Sequence, residues 1–194
     1  DMKLIAIVLM MTFVAAAVNA QSGFTNHGVA ANVAESRGLI CAKTSDGRNF
    51  AICLTTDQSD VGWALVTDID TGESSQAWAP ESAGSGAPFA ALLHSNGSIY
   101  TAFSGHLMEL DIGTLEWIDH DEPSPIASNY HAFTEGPDGK VWAGSTYQTA
   151  LISFDPETGT GTDHGRMDPE EEYLMSLATD DSGWVYAGIG TARC

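Results

Sequence analysis

The feature that most constrains this chain is a turn that recurs. Four stretches share one local pattern: TSDGRNFAIC around Asp46-Gly47, HSNGSIYTAF around Asn96-Gly97, GPDGKVWAGS around Asp138-Gly139 and DDSGWVYAGI around Ser182-Gly183. In each, a glycine follows Asp, Asn or Ser, and an apolar and aromatic run begins shortly after it, such as Ile99-Tyr100, Val141-Trp142 or Val185-Tyr186. Such dipeptides supply the positive φ that hairpin turns need, and the β-branched and aromatic side chains suit the pleated strand that follows. The glycines are 50, 42 and 44 residues apart. Repetition at that spacing marks supersecondary units that bury themselves only by stacking on their neighbours.

A second signal lies between the copies. LVTDIDTGE (Leu65 to Glu73), LMELDIGTLE (Leu107 to Glu116) and LISFDPETGT (Leu151 to Thr160) each run from apolar residues into Asp, with Thr and Gly behind it. These predict the hairpin joining the third and fourth strands of a four-stranded unit, with Trp78 and Trp117 in the outgoing fourth strands. Apolar residues alternate or come in short blocks bounded by Gly, Pro, Asp and Ser, and no 3.6-residue period competes. The expected fold class is all-β: a β-propeller of four-stranded antiparallel blades, about four of them present.

Charge and the N-terminal segment bound the partners. The 194 residues carry 26 Asp plus Glu against 7 Lys plus Arg, a formal net charge of −19. A surface this negative repels phosphate backbones, which argues against nucleic acid as a partner. Residues Met2 to Ala20 have one base at Lys3, an apolar run from Leu4 to Val18 and small residues before Ala20, which predicts a secretory signal peptide cleaved ahead of Gln21. The apolar run is shorter than the roughly 20 residues that cross a bilayer, and no Cys follows the cleavage point. The mature chain is therefore expected to be secreted or periplasmic, with no membrane span. The domain plan is a signal peptide over 1–20, a lead-in over 21–37 and propeller blades over 38–194, the last one truncated.

The runs DGKVWAG (Asp138 to Gly144) and FDPETG (Phe154 to Gly159) resemble blades of the broad group of secreted bacterial propellers that includes streptogramin-lyase-like proteins. The resemblance covers roughly residues 38 to 194 and rests on turn and strand motifs, which specify a fold and not an activity. The Gly-His and Trp-Asp marks of WD repeats are missing. The resemblance implies a ligand site on one face around the central channel, lined by the starts of inner strands and by the loops leaving the second strands. Carried over by register, it places Phe89, His131 and Tyr173 or Leu174 at equivalent inner-strand starts. It places Gly105-His106, Ser145 to Tyr147 and Gly190 to Arg193 in the loops.

The blade count does not close a ring comfortably. At about 45 residues each, the residues past Ala20 make just under four blades, whereas rings hold roughly four to eight. The sequence ends at YAGIGTARC, after the second strand of the fourth copy. The expected reading is the N-terminal part of a longer propeller of six to eight blades. The alternative is a four-bladed ring closed by residues 24–40, whose one convincing apolar segment is Gly38 to Ala42.

Candidate site residues follow from chemistry. His131, flanked by Asn129 and Tyr130, could bind a metal or act as general acid or base, or be a hydrogen-bonded structural histidine. Tyr130 and Tyr147 could stack on a sugar ring or serve packing. Arg193 and Arg166 stand out among so few cations, and Arg193 near the channel could clamp a carboxylate or sulfate, ordinary ion pairs being the alternative. Cys41 and Cys53 flank the Asp46-Gly47 turn. A two-residue loop pairs positions whose numbers sum to 93 and theirs sum to 94, so a disulfide needs a three-residue loop or a bulge, the alternative being two buried thiols. Cys194 completes an odd count. The acidic runs Asp68 to Gly72, Asp119 to Glu122 and Asp168 to Glu172 lack the twelfth-position Glu of a calcium loop and read as solvated turns.

No cofactor is expected; a divalent metal ion is the alternative, one that ligand spacing does not support. There is no Gly-x-Ser-x-Gly elbow, phosphate loop, CxxC pair or dinucleotide fingerprint. The functional expectation is an exported propeller that binds a small molecule, glycan or protein on its channel face. The alternative is a propeller lyase or hydrolase acting on an extracellular anionic polysaccharide or similar substrate, with His131 or a tyrosine as base and acid.

Overall fold

The computed structural model describes residue 33, residues 35–56 and residues 61–190. Among these, β1 (Glu35–Lys43), β2 (Asn49–Thr56), β3 (Trp63–Asp68) and β4 (Ser74–Trp78) form one antiparallel sheet in chain order. The second is β5 (Ala91–Leu93), β6 (Ile99–Phe103), β7 (His106–Leu110) and β8 (Trp117–Asp119). The third is β9 (Tyr130–Glu135), β10 (Val141–Ser145), β11 (Ala150–Asp155) and β12 (Thr160–Arg166). The fourth pairs β13 (Leu174–Thr179) with β14 (Val185–Ile189). The inner strands β1, β5, β9 and β13 touch one another in succession, so the sheets are blades of a β-propeller, as the repeats predict. No described helix is long and apolar enough to cross a membrane. The signal peptide and most of the lead-in lie outside the described residues.

The four turns between first and second strands are copies of one geometry. The glycine N–H donates to the carbonyl three residues back: Gly47 to Thr44, Gly97 to His94, Gly139 to Gly136 and Gly183 to Asp180. That first residue's own N–H then donates to the carbonyl just past the glycine. All four glycines have positive φ, from 74 to 94°. This is a three-residue loop with its last residue left-handed, not a two-residue turn. The second hairpin type also repeats, because Asp68, Asp111 and Asp155 each accept backbone N–H groups two and three residues ahead on one carboxylate oxygen.

The three-residue loop decides the cysteines. Lys43 stands opposite Asn49, so Cys41 faces Ala51 and Cys53 faces Leu39. The two thiols share a side of the sheet but are two residues out of step, and diagonal neighbours stand about 7–8 Å apart, beyond the span of most disulfides. Both are free; Cys41 is exposed, and Cys53 Sγ lies 2.8 Å from Ser36 Oγ. Neither the disulfide nor the pair of buried thiols is what forms.

The core is a series of seams between blades. Phe50, Ile52 and Leu54 of the first blade pack on Ile99 and Leu110 of the second. Tyr100 and Leu107 of the second pack on Tyr130, Val141, Ile152 and Phe154 of the third, and Leu174 of the fourth packs on Ala132 and Leu151 of the third. Every residue of β6 is buried because alternate side chains face opposite seams: Ile99 and Phe103 toward the first blade, Tyr100 and Ala102 toward the third. Glycines let two of these seams close. A Cβ on Gly62 would stand 2.1 Å from the ring of Phe103, and one on Gly144 would stand 2.2 Å from Leu174 Cδ2.

Gly62→Ala should therefore destabilise the fold by about 2–3 kcal/mol, the cost of overpacking against a buried ring. Urea unfolding measures it, and a loss below about 0.5 kcal/mol would show that the seam yields freely.

Candidate functional site

Strand alternation sorts the predicted site residues. At the start of β9, neighbours Tyr130 and His131 point to opposite sides: Tyr130 into the seam with the second blade, His131 toward the neighbouring inner strands. Tyr130 is thus a packing residue and not an exposed stacking platform. Its hydroxyl is buried without a hydrogen-bond partner, and burial, aided by the negative charges of Asp163 and Glu122, raises its pKa.

His131 lies in a continuous row of rings. The guanidinium of Arg37 sits over Phe89 at 4.6 Å from its centroid. On Phe89 the imidazole of His131 stacks at 4.3 Å and 22°. Tyr173 meets His131 nearly edge-on at 6.1 Å, and Tyr147 meets Tyr173 at 5.7 Å. Arg37, Phe89, His131 and Tyr173 come one from each blade and stand eight to ten residues before the turn glycines 47, 97, 139 and 183. Equivalent positions of a radial repeat converge at the channel, so the row follows from the symmetry of the fold. Tyr147 joins it from the loop after β10, where Thr146 bridges to Tyr173 and Tyr147 itself takes a left-handed φ of 67°.

Arg37 extends the predicted set. It falls in the stretch read as lead-in, yet it belongs to β1, and its distance from Gly47 equals that of Tyr173 from Gly183. Arg193 lies outside the described residues. Arg166 is spoken for: Nε donates to Asp168 O at 2.6 Å, and Nη2 donates to Glu171 O and pairs with Glu172 at 3.2 Å, which staples the 168–172 loop.

The electrostatics of the row are set by burial. Desolvation lowers the pKa of His131, and the charge of Arg37 lowers it further, so the imidazole is neutral at pH 7. The Tyr147 hydroxyl beside Tyr173 raises that phenol. A neutral imidazole, two phenols, one phenyl face and a guanidinium offer flat apolar surface with donors and acceptors at its edge.

One further grouping was hidden from ligand spacing. His106, Asp119 and Asp121 come together with their ligand atoms all within 4.8 Å of one another, although 13 residues separate His106 from Asp119. Asp119 is not part of a solvated turn: burial opposes its ionisation, but hydrogen bonds from Ser82 and His106 outweigh that and hold its pKa low. His120 is likewise tied, with Nε2 2.9 Å from Glu109 Oε2.

The fold is that of a β-propeller, and solved structures of streptogramin lyases share it. The chain is similar to a streptogramin B lyase at a TM-score of 0.59 and 13% identity over 82% of this chain and 49% of that one. It is similar to a catalytically inactive virginiamycin B lyase from Staphylococcus aureus with quinupristin at 0.55 and 12%, over 87% of this chain and 68% of that one. An auxiliary nutrient binding protein from Bacteroides thetaiotaomicron matches at 0.53 and 10%, over 79% and 36%. The chain spans about half the length of the streptogramin B lyase. At these identities the likeness is one of fold. No family model matches the sequence, and no curated protein does.

Because the folded pKa of His131 is depressed below 6.5, the unfolded chain binds more protons in the window beneath that value. Its contribution to stability is therefore present above that window and lost as pH falls through it. In proton NMR the His131 ring should titrate with a midpoint below 6.5. Arg37→Ala should raise that midpoint only partly, since burial is the larger cause. A midpoint at or above 6.5 would contradict the placement.

Proposed function

We propose that this chain is an exported β-propeller module that binds a ligand on its channel face, with Arg37, Phe89, His131, Tyr173 and Tyr147 as the recognition surface. The observation that carries this reading is the row itself: a side chain from each of the four blades, joined by Tyr147 of the third, each in contact with the next. Rings so placed stack on a sugar or a planar ligand, and Arg37, whose guanidinium is already paired with Glu35, adds a cationic face at the end of the row. The nutrient-binding protein among the similar structures supports a binding role. The apolar N-terminal segment supports export to the periplasm or beyond. Membership of a longer propeller is consistent with a match to about half of the lyase.

Binding is tested with a panel of uronic-acid oligosaccharides and aromatic carboxylates by calorimetry on the full chain. Phe89→Ala and Tyr173→Ala should each weaken a saturable binder about tenfold or more, since each removes stacking worth roughly 0.5–1.5 kcal/mol together with the apolar area the ring buries, while far-ultraviolet dichroism stays unchanged. Saturable binding that both variants leave intact would place the ligand elsewhere.

A second reading, a lyase on anionic polysaccharide, is favoured by the neutral imidazole of His131 beside Tyr173. β-Elimination needs a base to take the proton next to a carboxylate, and a neutral histidine supplies one. It would show as new absorbance from an unsaturated product, lost in His131→Ala.

A further inference from the structure

We propose that His106, Asp119 and Asp121, with Glu122 beside them, form a site for a divalent transition-metal ion of the zinc or manganese type on the outer strands of the second blade. This inference is independent of the ligand role of the aromatic row.

The site is made by strand pairing. Leu107 N–H donates to Asp121 O at 3.0 Å, and His120 N–H donates to Leu107 O at 2.9 Å, so two successive residues face one. This is a β-bulge, which re-aims side chains at the end of a ladder. Asp121 takes a left-handed φ of 59° there. The result gathers both carboxylates beside His106, whose Nδ1 lies 3.0 Å from Asp119 Oδ1 and whose Nε2 lies 3.7 Å from Glu122 Oε1. Ser82 Oγ donates to Asp119 Oδ2 at 2.6 Å, the outer hydrogen bond that orients a ligating carboxylate.

Charge points to a cation. Three carboxylates surround one imidazole, and among the described residues no Lys or Arg ion pair involves any of the three.

The donor set selects the ion class. Calcium and magnesium take oxygen ligands almost exclusively, whereas one imidazole nitrogen with carboxylates suits zinc or manganese. Ligand atoms on one ion at about 2.0–2.2 Å lie at most about twice that distance apart. Small rotamer changes bring the present spread of 4.8 Å onto an ion.

The experiment is titration of the full chain with Zn²⁺ and with Mn²⁺ by calorimetry, at fixed pH and ionic strength. The wild type should take up one ion saturably. Asp121→Asn keeps a residue that accepts left-handed backbone and should weaken binding at least about tenfold, as should His106→Gln, with circular dichroism unchanged. Asp181→Asn, an acidic turn residue outside the cluster, should bind as wild type. The proposal is overturned if no one-to-one uptake occurs or if Asp121→Asn binds as tightly as wild type. An equal loss in Asp181→Asn also overturns it, because uptake would then be diffuse attraction to an acidic surface.

Discussion

Everything in this structure depends on blade-to-blade burial. A four-stranded sheet has two apolar faces and no helix to cover either, so each blade is stable only between neighbours. Strand β6 shows the constraint most plainly, with all five residues buried and alternate ones committed to opposite seams. Each seam also carries a hydrogen bond that fixes its register. Trp117 Nε1 donates to Ala77 O at 3.0 Å between the first and second blades, and Thr179 Oγ1 donates to Glu135 O at 2.6 Å between the third and fourth. Between the second and third, His94 Nδ1 accepts from Asn96 N–H, which leaves Nε2–H to donate to Gly139 O at 2.9 Å.

The candidate site is a by-product of the same stacking. Blades packed face to face bring equivalent inner-strand positions within ring contact, so a single register position repeated four times becomes one surface. The seam and the surface are coupled through neighbouring residues: Tyr130 anchors the seam while His131, next along β9, faces the row. The sequence around position 130 is then doing two jobs, and period-two alternation separates them.

That coupling explains what could be read without coordinates. The turn glycines and the Asp-Thr-Gly hairpins were legible because local backbone chemistry dictates them, and the equivalence of Phe89, His131 and Tyr173 followed by counting from those glycines. Arg37 escaped notice because its copy carries Gly38 and a register irregularity between Ser36 and Leu39, so no aromatic marks the position. The grouping of His106 with Asp119 and Asp121 escaped because a hairpin register and a bulge bring them together, and neither is written in ligand spacing. The cysteines turned on whether the loop holds two residues or three, a difference of one in register that reverses which side a residue faces.

Native-state hydrogen exchange tests most directly whether seam burial governs the structure. Amides of β6 and β10, covered on both faces, should exchange most slowly, and those of β13 and β14, where Met175 and Tyr186 are exposed, should exchange fastest. Uniform protection across all four sheets, or slowest exchange in β13 and β14, would contradict the account.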